Sequence, residues 1–581
     1  MKPSVFYGGA PHGQNEDEDP DSSSTGDEWN PNISEDDCSD NSEENSSVDG
    51  HDSETVSDTE SEEETTACTS GTLWYPITAS QRSFPFTGNE QLLKNPTSTG
   101  KDNSVLPIDI YKLFVTDEII SSVVQETNRY ANQTLESRTV TRKSRLAKWI
   151  PTNEQEIKKF IGIIICMGLF RAPKIEHYWS KKQIYNYTFV RNHITRDRFQ
   201  LLLKLVHFND NQQVGQQNKL HKIQPLLDKL CENFRSVYTP GSVLVIDESL
   251  IPFRGRVIFR QYIPGKSHKC GIKLYKLCTP SSYTWNLFVY SGNMEKEPSF
   301  QHSESVVLQL CKPLLKQGST IYADNFYSSI PLAEKLLQEK TYYCGTVRKN
   351  RKFLPPTVTK AKLKKGEISG QMNNNGVKIC NWKDKRNVMT LSTVPEQSGE
   401  LVASGRKNRN GTEIMKPQSV LDYNKAKMGV DKSDQMTSYN TALRRSTKWY
   451  RKLAIELLTG TAVVNSWALY NQFHCQRKCV SITDFKEGLA MSLITGVIGE
   501  ELLPGPRRSD VGGKRTNHAL VKATGPKRKT RKRCRSCYEV IANNEGSSVA
   551  RKRARRVNTF CDTCEGKPFL CVSCFSLKHS T

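Results

Sequence analysis

The chain lacks any apolar run long enough to cross a bilayer. The longest, Phe160–Phe170, covers 11 residues and is flanked by Lys158, Lys159 and Arg171, whereas a spanning helix needs about 20. No signal-peptide pattern stands at its start either, so the expected compartment is the cytoplasm or the nucleus. Basic residues are nearly missing from the first 66 positions, where Lys2 faces 21 Asp and Glu. Apolar residues are sparse in the same region, too few to offset the entropy of ordering, which predicts a disordered acidic arm over residues 1–104. A disulfide framework is excluded in turn. The 17 cysteines are odd in number, lie singly through the body and crowd only into the last 48 residues, which suits reduced thiols with a terminal metal site.

What the arm lacks, the body has in excess. The remaining 515 residues carry 82 Lys and Arg against 40 acids, a balance that points to a polyanionic partner, and double-stranded DNA is the expected one. Helical periodicity runs through Ile119, Ile120, Val123 and Val124, from Thr152 to Phe170 behind a capping box at Thr152–Gln155, through Thr195–Phe208, and from Gln224 to Phe234. Residues 105–235 therefore read as a helical DNA-binding and dimerisation module. Arg191, Arg196, Arg198 and Lys204 are its candidate phosphate contacts.

From residue 236 the pattern changes to short β-branched runs. Val243–Leu250 follows the turn signal Thr239-Pro240-Gly241 and reads as a buried strand delivering Asp247 at its end. Val257–Phe259, Ile272–Leu277 and Trp285–Tyr290 are further strand candidates, and a helix over Ser305–Leu315 leads into Ser319–Ala323, which ends at Asp324. In Gly429–Gln435, read as a helix, Asp431 and Asp434 stand three residues apart on one face. Two strand-end acids with a helical acid can hold two divalent cations, the arrangement that in-line phosphoryl transfer uses. Between them, Val377–Trp382 and Val388–Val394 form a hairpin within a β-rich insertion, 351–418, whose Arg406, Lys407 and Arg409 are candidate phosphate contacts. After the acids, Trp449 and Tyr450 alternate with Arg444, Arg445, Lys448, Arg451 and Lys452, a pattern that suits base stacking with phosphate contacts.

The last segment carries Cys534-x2-Cys537-x23-Cys561-x2-Cys564-x6-Cys571-x2-Cys574-x4-His579. Thiolate pairs at this spacing chelate tetrahedral zinc. Two closed sites need eight ligands, and seven are evident; the eighth is a water, Asp562, Glu565 or a residue the spacing does not reveal. The same spacing is similar to RING and PHD fingers, but a ubiquitin ligase built on it leaves Asp247–Asp434 unexplained. Lys527–Arg533 and Arg551–Arg556 are basic runs of the kind that serve nuclear import, which favours the nucleus.

Asp247–Arg256, Phe259–Pro264, Tyr275–Cys278, Asp324–Ile330, Gly345–Arg351, Asp422–Asn424 and Gly429–Gln435, in that order, resemble the piggyBac transposase family. The resemblance spans about 105–581. It implies an α/β ribonuclease H-like catalytic core in two parts, 236–350 and 419–442. The β-rich insertion interrupts that core, and a split helical domain, 105–235 and 443–510, flanks it. A basic linker, 511–533, would join these to a cysteine-rich zinc-binding domain, 534–581, that binds transposon ends. It also implies a homodimer holding two ends, with metal-dependent nicking, hairpin formation and joining into TTAA targets. Asp247, Asp324 and Asp431 would hold two Mg²⁺ ions with Asp434 assisting, and Trp449 would stack on unpaired bases of the hairpin. The rival expectation is a domesticated DNA-binding protein without cleavage activity.

Overall fold

The structure, a computed structural model of the chain, describes residues 73–77, 83–100, 103–137, 139–212, 218–266, 268–292, 300–408, 411–444, 448–475, 479–496, 518–526, 530–564 and 566–579. The acidic stretch to residue 66, Arg409, Arg445, Lys514-Arg515, Lys527–Lys529 and Glu565 lie outside them. The chain divides into two compact units, Met1–Leu503 and Pro504–Thr581.

The larger unit begins earlier than the expected arm allows. Two short strands, β1 (Trp74–Tyr75) and β2 (Gln91–Leu92), pair with later parts of the chain. Between them the Phe84 amide donates to the Tyr342 hydroxyl at 2.5 Å and the Thr87 amide to the Gln317 carbonyl at 2.9 Å. The expectation of disorder as far as residue 104 is therefore corrected. A composition average hides a few anchors that dock on a core built elsewhere, and Trp74 and Leu92 pack against that core.

Helices α1 (Pro107–Phe114), α2 (Asp117–Glu136) and α3 (Glu154–Leu169) follow, then α4 (Thr188–His193), α5 (Arg196–Leu205) and α6 (Gln224–Val237). The cap of α3 is Asn153, one residue later than the capping-box pattern suggests: its Oδ1 accepts from the Glu156 amide at 2.9 Å. Thr152 instead gives its hydroxyl to the Glu156 carboxylate at 2.6 Å. Helix α3 buries Ile157, Phe160, Ile161, Ile163, Ile164, Ile165 and Met167, each side chain stabilising the fold by about 1.5–3 kcal/mol.

After β3 (Tyr238–Thr239), which forms a separate two-stranded sheet with β2, the main sheet takes up β4 (Val243–Pro252). Then come β5 (Gln261–Tyr262), β6 (Cys270–Cys278) and β7 (Thr284–Val289), helix α7 (His302–Cys311), β8 (Thr320–Ala323), α8 (Ile330–Gln338) and β9 (Tyr342–Thr346). After the short α9 (Pro356–Thr359) follow β10 (Ile368–Asn373), β11 (Lys378–Lys383), β12 (Asn387–Ser392) and a separate hairpin, β13 (Leu401–Lys407) with β14 (Glu413–Pro417). One ten-stranded mixed sheet results, in the order β1-β10-β11-β12-β9-β8-β4-β6-β5, with β7 also on β6. The β8 strand is parallel to β4 and β9; the other neighbours are antiparallel. The hairpin expected inside 351–418 thus continues the acid-bearing sheet through the β12–β9 pairing, Leu391 opposite Gly345.

Two strand expectations change. Val257–Phe259 is a turn, with only Phe259 of the three buried. Asp247 falls in the middle of β4 rather than at its end, because the two neighbours of β4 differ in length. Pairing with β8 stops at Ile246 opposite Ala323, while pairing with β6 runs on to Pro252 opposite Gly271.

Helices α10 (Gln418–Ala426) and α11 (Met428–Ser438) return to the sheet. From Trp449 to His474 one helical rod runs through α12 (Trp449–Glu456), a π turn at Leu457–Thr461, α13 (Ala462–Leu469) and a π turn at Tyr470–His474. The expectation that no stretch is apolar and long enough to cross a membrane is corrected here, since this rod passes by length and composition once its scattered polar residues are averaged in, yet 89% of its most apolar part is buried inside the fold. Tyr111 on α1 donates to the Leu458 carbonyl there at 3.0 Å. Helix α14 (Ile482–Thr495) crosses α3 where Gly162 removes the side chain: a Cβ at that position would lie 2.8 Å from Leu493 and Ile494.

Candidate functional site

The carboxylates are assembled by strand register. Ile246 on β4 lies opposite Ala323 on β8 in parallel pairing, so the next residue on each, Asp247 still within β4 and Asp324 just past the end of β8, stands at a neighbouring position. Asp247 Oδ1 accepts from the Glu248 amide at 2.7 Å, and Asp324 Oδ1 from the Phe326 amide at 2.9 Å. The loop after Asp324 is held by the segment that follows β9: Arg348 Nε donates to Asn325 Oδ1 at 2.9 Å and Arg351 to the carbonyls of Asn325 and Phe326.

Helix α11 supplies the other two acids. It packs on β4 and β6, and the approach is close because residue 429 is glycine. A Cβ there would sit 2.7 Å from the Thr279 carbonyl oxygen and 3.3 Å from Val245. Asp431 is exposed and Asp434 partly so. One turn beyond Asp431, Asp434 Oδ1 accepts from Ser249 Oγ at 2.6 Å and from Lys276 Nζ at 2.8 Å.

Burial and mutual repulsion dominate the electrostatics. Burial, then Glu248, push the Asp247 carboxyl well above the ordinary range, and Asp324 adds to the effect. Burial, again with Glu248, raises Asp324 to about 6. Lys266, from the β5–β6 turn, donates to the Glu248 carbonyl at 3.0 Å. Burial works to lower its pKa, but Asp247, Glu248, Asp431 and Asp434 together hold it above the ordinary lysine value. Crowded, partly desolvated carboxylates of this kind fit a hard divalent cation with oxygen ligands. Asp247, Asp324 and Asp431 are not a set with ligand oxygens all within 4.8 Å of one another.

The basic aromatic stretch after the acids is placed differently from a free phosphate-binding face. Trp449 stands edge-on to Phe259 with ring centroids 5.1 Å apart. Arg444 donates to the Ala172 carbonyl at 3.0 Å and the Tyr178 hydroxyl at 2.7 Å, and Arg451 to the Val206 carbonyl at 3.2 Å. Lys448 caps α12. In the helical module, Arg198 pairs with Glu156 at 2.6 Å and lies 4.5 Å from the Trp149 ring centroid. His207 is buried, and desolvation takes its pKa down to about 4.

In the second unit the thiols gather into two groups. Cys534, Cys537, Cys571 and Cys574 form one; Cys561, Cys564 and His579 form the other together with His518. In each, all ligand atoms lie within 4.8 Å of one another, so each could hold a metal ion. His518 Nδ1 stands 3.3 Å from both Cys561 Sγ and Cys564 Sγ, and its ring stacks on His579 at 4.1 Å. The two sets alternate along the chain, so each ties together segments the other separates. Burial opposes ionisation of Cys561, but the His518 contact and the amides of Thr563 and Cys564 bring its pKa down to about 7.

Sequence reasoning missed His518, Lys266, Lys276 and Ser249. The unfilled eighth position was the one signal for His518. Lys276 is opposite Asp247 only through the β4–β6 register.

Residues 106–467 match the family model described as Transposase IS4. The human PiggyBac transposable element-derived protein 3 is 26% identical over 455 residues, 74% of this chain and 72% of that protein. The human PiggyBac transposable element-derived protein 5 is 23% identical over 419 residues, covering 67% and 76%. A cryo-EM structure of a piggyBac transposase synaptic complex with hairpin DNA superposes with a TM-score of 0.57 at 28% identity, covering 74% of this chain and 94% of that one.

Proposed function

The chain belongs to the piggyBac-type IS4 transposase family, and from that premise we propose that it is a cut-and-paste DNA transposase. It nicks transposon ends, passes through hairpin intermediates and joins them at TTAA sites. The observation that carries the proposal is the parallel register Ile246 opposite Ala323, which sets Asp247 beside Asp324 while α11 brings Asp431 and Asp434 to the same strands. The β7-β6-β4-β8-β9 part of the sheet, with α8 crossing between its parallel strands, supports reading this core as ribonuclease H-like.

In this reading Asp247, Asp324 and Asp431 are the oxygen ligands of two Mg²⁺ ions, and Asp434 completes the acid face. Such ions supply activation of the attacking water or hydroxyl and charge stabilisation of the leaving oxygen. The protein's part is to gather the three carboxylates from two strands and a helix, to fix the loop after Asp324 through Arg348 and Arg351, and to keep Lys266 among the acids. Cys534, Cys537, Cys571 and Cys574 hold one structural Zn²⁺; His518, Cys561, Cys564 and His579 hold a second. The basic body binds the DNA, Trp449 stacks on unpaired bases, a homodimer pairs two ends, and Arg551–Arg556 direct the protein to the nucleus.

The test is a labelled duplex carrying a terminal repeat flanked by TTAA, incubated with purified protein. In Mg²⁺ the expected product is a hairpin that runs at twice the strand length under denaturing conditions, absent with chelator and with Asp247→Ala. Salt-sensitive binding without any cleaved strand would instead favour the non-cleaving DNA-binding reading.

A further inference from the structure

Lys276 is the least expected charge in the sheet. It is 1% exposed, sits on β6 opposite Asp247, and faces the same side of the sheet as Asp247 and Ser249. A buried ammonium is retained only with a partner, since an isolated buried charge is costly. Here the partner is Asp434, 2.8 Å away, whose Oδ1 also takes the Ser249 hydroxyl at 2.6 Å. One carboxylate oxygen of α11 is thus bound to two strands at once, β6 through Lys276 and β4 through Ser249.

We propose that Lys276 is a positioning residue for the acid site: it clamps Asp434, and through it sets where α11 presents Asp431. The proposal rests on the metal-dependent reading above and assigns Asp434 a role as strut, distinct from a metal ligand. Asp431 and Asp434 are three residues apart on one helix face, so the clamp fixes the rotation of α11 about its axis as well as its distance from the sheet. The close approach at Gly429 fixes the first turn, two residues before Asp431, and the clamp fixes the next. With both, Asp431 sits between two anchored turns. An exposed carboxylate can then be held to the geometry that a two-ion site demands.

The experiment is Mn²⁺ binding to the full-length, zinc-loaded protein, read as loss of the free-ion electron paramagnetic resonance signal, with hydrogen exchange over 428–438. Asp431→Asn and Lys276→Met are each expected to weaken Mn²⁺ binding at least tenfold. Lys276→Arg, which keeps the charge and the donor, should bind within about threefold of wild type. The double variant Lys276→Met/Asp434→Asn should be no weaker than Lys276→Met alone, because both changes break one clamp. Lys276→Met/Asp434→Leu, which removes both charges of the clamp together, gives a second comparison and should bind as weakly as Lys276→Met. Faster exchange in α11 should accompany every variant without the clamp. Wild-type Mn²⁺ affinity and unchanged α11 protection in Lys276→Met would overturn the proposal. A further loss when Asp434→Asn is added to Lys276→Met would overturn the strut role and make Asp434 a ligand. DNA nicking is scored separately: no nicking by wild type with the Mn²⁺ pattern intact refutes the transposase reading and leaves the clamp standing.

Discussion

Gly429→Ala tests the close seating of α11 by the sign of its effect. In an unhindered helix this change stabilises by up to about 1 kcal/mol, since alanine is the better helix former. Here the new Cβ would stand 2.7 Å from the Thr279 carbonyl oxygen and 3.3 Å from Val245. Carbon against carbonyl oxygen normally settles at about 3.3–3.6 Å, so α11 must back away by roughly 0.6–0.9 Å. Overpacking of this size costs about 1–3 kcal/mol, which outweighs the propensity gain and leaves a net loss of about 1 kcal/mol. Asp431, two residues on, moves with the helix, and a displacement approaching 1 Å costs on the order of 100-fold in rate. The urea midpoint should therefore fall in chelator, and end nicking should drop steeply with DNA binding unchanged. A midpoint that rises, with nicking intact, would show that α11 does not approach the sheet in this way.

Metal-free stability should depend on pH through the buried acids. Burial raises Asp324 from the ordinary 3.8 to about 6 and raises Asp247 as well, so the folded state holds protons the unfolded chain releases. That contribution is complete below about pH 4 and lost as pH rises through 6, on the order of 3 kcal/mol for Asp324. The gain in melting temperature on adding Mg²⁺ should accordingly grow from pH 5 to 7.5, and a constant gain would contradict it. His518→Ala should lower bound zinc from two ions to one by elemental analysis, while Asp562→Ala retains both; equal zinc in the two variants would remove His518 from the ligand set. Arg444→Ala should destabilise the larger unit by about 2 kcal/mol through its bonds to Ala172 and Tyr178. Unchanged stability with weakened end binding would return Arg444 to the DNA.

Local pattern made much of this architecture legible. The helices of 107–237 and the strands at β4, β6, β7, β11 and β12 announce themselves by period and by bounding turn residues. The Cys pairs announce a metal module by spacing alone. What stayed hidden depends on register and on distant pairing. That β12 joins β9, extending the acid-bearing sheet, follows from Leu391 opposite Gly345, which no local signal carries. Lys276 becomes a partner of Asp434 only once β6, β4 and α11 are stacked. His518 looks like a lone polar residue within the basic linker until the two ligand sets interleave. The N-terminal anchors were obscured for a different reason: Trp74 and Leu92 belong to very short apolar runs, Leu73–Tyr75 and Leu92-Leu93, set in a polar stretch, and their strand partners, Asn373 and Tyr238, lie far along the chain.

The central claim is that these acids cut DNA at transposon ends, and the most direct measurement is precise excision in cells. A donor plasmid carries the element's ends flanked by TTAA, and wild type is compared with Asp247→Ala, Asp324→Ala and Asp431→Ala at matched protein levels. The account predicts excision by wild type with a single TTAA restored at the sequenced junction, and none by the three variants. Excision undiminished in any of the three variants, or no excision by a wild type that binds the same ends, would contradict it.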